Sequence, residues 1–138
     1  MKISCLSLWQ PWASVIFQLD HVGNQLKIDE TRHWPCRIRG RVAIHAAKTL
    51  KGKQNVPDDW LMPLGLRYDT MPYGCILGTV EIVTCWKTEM VAKHRSEAQL
   101  RWGNYAPGRF AFELANPVLL PEPIPYRGLQ GFFNVEFP

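Results

Sequence analysis

The sequence has no long hydrophobic run; its apolar residues come in short groups broken by polar residues, proline or glycine. A membrane-crossing helix, which takes about 20 apolar residues in succession, is therefore not expected. The opening MKISCLSLWQPW lacks the apolar core and small-residue cleavage site of a secretory signal. The expectation is a cytoplasmic protein with no membrane partner. Closely spaced cysteines are also missing. Cys5, Cys36, Cys75 and Cys85 stand far apart, so the paired half-sites of a structural zinc do not exist. His33 and Cys36 have the spacing of half a metal site, but Pro35 lies between them and no second half follows. Without a secretory signal the thiols are expected to be reduced and partly buried. There is no phosphate-cradling glycine loop, no serine or cysteine nucleophile motif, no metal cage and no internal repeat. No cofactor or metal is expected.

Uninterrupted long helices are disfavoured as well. Eleven prolines and ten glycines in 138 residues suit many short strands and turns. Residues 1–138 form one domain on length, and a chain of this size buries roughly two thirds of its unfolded surface, enough for a core without metal or disulfide staples.

What is present is a concentrated charge. The net charge is +4. The window from Lys27 to Lys48 holds six basic residues and two acids, which accounts for the entire excess; the rest of the chain is balanced. His33, Trp34 and His45 lie among these charges. Cations beside an aromatic plane match a ligand that carries both phosphate and base. After Arg39-Gly40-Arg41, the alternation of Val42, Ile44 and Ala46 with Ala43, His45 and Ala47 predicts a half-buried strand, with His45 turned away from the core. Residues 27–32 are either extended, placing Glu30 and Arg32 on one face with Ile28, or helical, placing Lys27 and Glu30 side by side.

Along the rest of the chain, residues 3–8 read as a strand. Pro11 opens a helix carrying Trp12, Val15, Ile16 and Leu19 and ending near Gly23. Gln10, at the mouth of that helix, has an amide that can both donate and accept. Residues 49–73 carry no functional signal. Gly74 to Cys85 is a central strand bulged or bent at Gly78. Within it Glu81 either takes an exposed position or points into a ligand cleft near Lys27. Residues 87–100 read as a surface helix. Arg101 to Arg109 reads as a loop suited to face a ligand, or as an ordinary turn packing Trp102. Phe110 to Ala115 is a strand, the proline-rich stretch after it an edge, and Phe132 to Phe137 closes the sheet.

Several of these stretches resemble the ASCH (activating signal cointegrator homology) domain family of the PUA-like β-barrel superfamily. Lys27-Ile28-Asp29-Glu30-Thr31-Arg32 matches the K-x-x-E-x-R part of its G-x-K-x-x-E-x-R signature, with Gln25 where the family has glycine. Ser7-Leu8-Trp9-Gln10-Pro11-Trp12-Ala13 is similar to its S-x-x-QPWA opening. Arg39 to Ala47, Gly74 to Val80 and Gly128 to Phe133 resemble its later strands. The resemblance implies an α+β fold: a PUA-like small mixed β-barrel of about five to six strands flanked by short helices. It also implies an RNA-linked or nucleic-acid-linked role, with RNA, DNA or a nucleotide as partner. On that reading Lys27, Arg32, Arg39 and Lys48 neutralise phosphate, Trp34 stacks on a base, and Gln10 and Glu30 read polar edges; His45 and Arg109 complete the candidate binding set. A second implication is hydrolysis of a modified nucleoside such as N(4)-acetylcytidine, or nuclease activity. Lys27, Glu30 and Glu81 are the catalytic candidates for it, although Glu30 stands where the amidohydrolases have threonine. A protein-interaction domain is the third.

Overall fold

A computed structural model describes all residues 1–138. Its centre is one curled, six-stranded sheet: β1 (Lys2–Leu8), β2 (Asp29–Arg32), β3 (Gly40–Ala46), β4 (Cys75–Lys87), β5 (Phe110–Pro125) and β6 (Phe132–Glu136), in the order β2-β5-β4-β3-β1-β6. Only β1 and β3 run parallel; every other pair is antiparallel, so the sheet is mixed. Short helices fill the connections: α1 (Trp12–Val15), α2 (Asp58–Leu61), α3 (Thr88–Val91) and α4 (Glu97–Leu100). The architecture is α+β, a half-barrel with helical trim.

Alternation along the strands sets the core. Leu6 and Leu8, Val42 and Ile44, Val80 and Ile82, and Phe112 and Leu114 turn to the inside. Trp34 closes this interior, edge-on to Phe112 and Phe132 at 5.3 and 5.9 Å between ring centres. The outer face of β1, β3, β4 and β6 carries a smaller apolar layer of Cys5, Ala43, Ile76 and Val135, covered by Leu120 and Ile124. Residues 49–73, silent in the sequence, build a third cluster in which Val56, Leu61, Tyr68 and Met71 pack with Val15 and Trp102.

Two helices are shorter than their sequence patterns suggest. α1 stops after one turn, where the Phe17 and Gln18 N–H groups bond three residues back to Ser14 and Val15; Asp20 Oδ1 then accepts the N–H groups of Val22 and Asn24 and turns the chain back, with Leu19 left exposed. The predicted helix over 87–100 breaks at Arg95, which is extended (φ −118°, ψ 143°), before Ser96 and Gln99 form a capping box for α4. The proline-rich half of β5 pairs only with β4, since β2 reaches no further than Glu113, so its prolines sit on an edge.

Register shifts along β4–β5, one of them at Ile76/Gly78, bend the sheet. A Cβ on Gly78 would collide with the Val118 carbonyl and come within 2.9 Å of Leu119 Cα. Gly78→Ala is expected to lower stability by about 1–3 kcal/mol, the range for overpacking a fixed site. An unchanged denaturation midpoint would show that β5 does not lie this close to β4.

Candidate nucleic-acid interface

The basic motif straddles β2. Because residues 29–32 are extended, Glu30 and Arg32 share one face, and Asp29 and Thr31 the other. Lys27 precedes the strand, yet its side chain is 1% exposed and its ammonium reaches Glu30 Oε1 at 3.1 Å. It also donates to the Asp29 carbonyl (2.8 Å) and the Trp102 carbonyl (2.7 Å). Three oxygens thus use the three N–H donors of one ammonium. Glu30 Oε2 accepts from Arg32 Nε at 2.7 Å, and Arg32 Nη2 donates to the Ser7 carbonyl at 3.0 Å. Arg32 is 22% exposed and its Nη1 has no protein partner. Its guanidinium carbon stands 5.8 Å from the centre of the Trp34 ring. Burial by itself raises the pKa of Glu30, but the adjacent Lys27 and Arg32 charges and their hydrogen bonds outweigh it and hold the carboxyl below its ordinary range.

The other face of β2 carries a second network, unforeseen from the sequence. Asp29, fully buried, takes a two-pronged hydrogen bond from Arg95 (2.7 and 3.1 Å) and one from the Tyr105 hydroxyl. Arg95 also reaches Glu113 at 3.0 Å, which accepts from the Trp86 indole as well. Burial, and then the Asp29 charge, drive the Tyr105 phenol well above its usual range. This pairing draws Arg95 inward and accounts for the broken helix. Only its position in an amphipathic-looking segment marked it beforehand, and that pointed to the surface.

The remaining candidates lie apart from Lys27. The Gln10 side chain is buried, bridging Ser14 and the Pro72 carbonyl, and holds the start of α1. Glu81 pairs with Arg41 at 2.9 Å and with Asn116, because Arg41 and Glu81 face each other across β3 and β4. Arg39 folds onto the carbonyls of Cys36 and Ile38. Lys48 is exposed, its stem over Gly74. Arg109 binds the carbonyls of Thr31 and Asn104. Trp34, expected to stack on a base, is half-buried, its edge against Phe112 and Phe132 and Arg32 beside its ring. His45 faces away from the core, as its alternation predicts, but the outer layer covers it. Its Nε2 donates to the Tyr126 carbonyl at 2.8 Å, so in the neutral ring Nδ1 accepts from the Ser7 hydroxyl at 2.9 Å.

Two surface concavities lie elsewhere. One of about 560 Å³ is lined by Gln25, Arg95, Ser96, Gln99 and Glu113 among others. One of about 570 Å³ is lined by Lys53, Arg67, Tyr68 and Asp69 among others. Neither includes Lys27, Arg32 or Trp34. No three of the His, Cys, Asp and Glu side chains converge as a metal site would require, and no helix is long and apolar enough to cross a membrane.

The curled mixed sheet, closed by an aromatic after β2 and carrying K-x-x-E-x-R at its second strand, defines a class of small α+β half-barrels. The ASCH domain family model matches residues 6–123, and the chain belongs to that family. Among solved structures, ASCH from Zymomonas mobilis is similar in fold, with a TM-score of 0.56 and 15% identity over 96% of this chain and 87% of that one. A tyrosine-to-phenylalanine mutant of the Zymomonas protein gives a TM-score of 0.55 at 16% identity, covering 96% and 89% of the two chains. No curated protein matches the sequence.

Two outcomes test the electrostatics. Lys27→Met leaves buried Glu30 short of a partner and is expected to cost about 3 kcal/mol, with part of the loss recovered on adding Glu30→Gln; no loss would show that the ion pair contributes nothing. For His45, burial lowers the pKa against the opposing effect of the Tyr126 carbonyl. The folded ring therefore resists a proton that the unfolded chain accepts. Its contribution to stability is full above the unfolded pKa of about 6.5 and is lost as pH falls through the lower folded value. Denaturation midpoints between pH 8 and pH 5 should fall with acid in the wild type and fall less in His45→Asn.

Proposed function

We propose that this ASCH domain binds single-stranded RNA or a nucleotide, and that the K-x-x-E-x-R motif acts by holding Arg32 rather than by lining an open cleft. The observation that supports this most strongly is Arg32 itself. Glu30 fixes its Nε, the Ser7 carbonyl fixes Nη2, and Nη1 remains without a protein partner. A guanidinium held on two sides loses little freedom on meeting a phosphate, and its geometry suits a phosphate oxygen. Exposed Lys48 and Arg39 add positive charge to the ligand-binding reading, and the family association with nucleic acid agrees with it.

Binding is favoured over hydrolysis of a nucleoside amide. The Lys27 donors are spent on protein oxygens, and Glu81, the other catalytic candidate, is paired with Arg41. A panel of acetylated nucleosides is expected to show no turnover.

Anisotropy with a labelled single-stranded RNA is the direct test. Affinity should fall linearly on a log–log plot against salt, by about 0.7 per neutralised phosphate. Arg32→Ala should weaken binding about tenfold, the scale of one lost charge-assisted hydrogen bond, and Arg32→Lys should not restore it. Salt-independent binding, or an Arg32→Ala protein that binds as the wild type does, contradicts the reading.

A further inference from the structure

Trp9 is an exposed aromatic with an unpaired cation over its ring, whereas Trp34 is half-buried. Trp9 follows the last residue of β1, two positions beyond the carbonyl that receives Arg32. Its side chain is 44% exposed, while its backbone is fixed: the Trp9 carbonyl accepts the N–H of Ala13, and Ala47 N–H closes on the Leu8 carbonyl beside it. A rigid backbone under an open indole is a platform, and a buried side chain in Gln10 secures it.

A lysine covers this indole. Lys51 stands over the ring at 5.8 Å, on the 3-10 turn Lys51–Gln54 that follows β3. That turn cannot drift, because Gly52 is buried so tightly against the Gln10 backbone that a Cβ would overlap the Gln10 carbonyl. Lys48 is exposed between β3 and the turn. Neither Lys48 nor Lys51 has a carboxylate within ion-pair distance, whereas Lys27, Arg32, Arg41, Arg67 and Arg95 all do. Lys51, over the exposed indole, and Lys48, three residues before it, thus belong with the cations left open, while Arg32 keeps only its Nη1 free.

We infer that Trp9 with Lys48 and Lys51 forms a stacking subsite for one base of a single-stranded RNA whose phosphate chain continues to Arg32. This rests on the nucleic-acid reading above and narrows it: the ligand is a strand of several nucleotides with unpaired bases, not a free nucleoside. One face of the indole carries the Lys51 ammonium, and the exposed remainder accepts a base. Lys51, over the ring, and Lys48, three residues before it, meet the flanking phosphates. Stacking on an aromatic needs no base identity, so the subsite favours unpaired strand over duplex without selecting a sequence.

The test compares a labelled six-nucleotide oligouridine, the same length of RNA duplex, and uridine monophosphate on four proteins: wild type, Trp9→Ala, Trp9→Phe and Lys51→Gln. Wild type should prefer the single strand over the duplex. Trp9→Ala should weaken the oligonucleotide about tenfold, within the range of one lost base–aromatic stack, while Trp9→Phe retains most of the affinity. Lys51→Gln should reduce the log–log salt slope by about one. Trp9 is exposed, so thermal melting of its variants should stay near the wild type and exclude misfolding. An oligonucleotide that binds wild type and Trp9→Ala equally, with Arg32→Ala still weakened, overturns this subsite alone. Equal affinity for duplex and single strand overturns it too. No oligonucleotide binding by the wild type overturns this inference together with the proposed function.

Discussion

A lysine ammonium enclosed by protein is the constraint from which the site is built. Removing such a charge from water costs several kcal/mol unless good partners replace the lost hydration. Lys27 is tolerated because three oxygens meet it: the Glu30 carboxylate and two backbone carbonyls, one of them from Trp102. Those contacts tie β2 to the loop before β5. Glu30, satisfied on one oxygen by Lys27, uses the other to hold Arg32, and Arg32 in turn reaches β1 through the Ser7 carbonyl. The motif is therefore a chain of ion pairs and hydrogen bonds that begins buried and ends at a partly exposed guanidinium.

The two faces of β2 divide the labour. On one, the Lys27–Glu30–Arg32 chain leads outward to an open donor. On the other, Asp29, Arg95, Tyr105 and Glu113 form a closed network whose members satisfy one another. Placing both on a four-residue strand works because alternation separates them completely. The buried side chains leave no orphaned polar atom, so the charges taken inside are all accounted for. Among the cations without a carboxylate partner, Lys48 and Lys51 face solvent, and Arg32 keeps one guanidinium nitrogen free.

Strand positions and curvature left clear marks in the sequence, through alternation, the glycine at position 78 and the prolines confined to the edge part of β5. The family signature also located β2. The candidate site was less legible, and the reasons are particular. Trp34 and Trp9 are equally aromatic on paper; only the distant rings of Phe112 and Phe132 show that Trp34 is half-buried. Glu81 looked like an orphan in an apolar strand until cross-strand register set it opposite Arg41. His45 alternates outward as expected, yet the tail of β5 and the loop after it cover that face. Arg95 sits in a segment that looks helical and solvated, but Asp29, remote in sequence, takes it. In each case the sequence carries the residue and its strand face, while the partner is chosen by tertiary packing.

The account is tested most directly by nuclear magnetic resonance shift mapping during titration with a short single-stranded RNA, followed at the indole N–H groups and the arginine Nε–H groups. The indole of Trp9 and the Nε–H of Arg32 should move together and saturate at one RNA concentration, with the Trp34 indole little affected. Shifts confined to the hollow lined by Gln25, Arg95 and Gln99, with Trp9 and Arg32 unmoved, would contradict it.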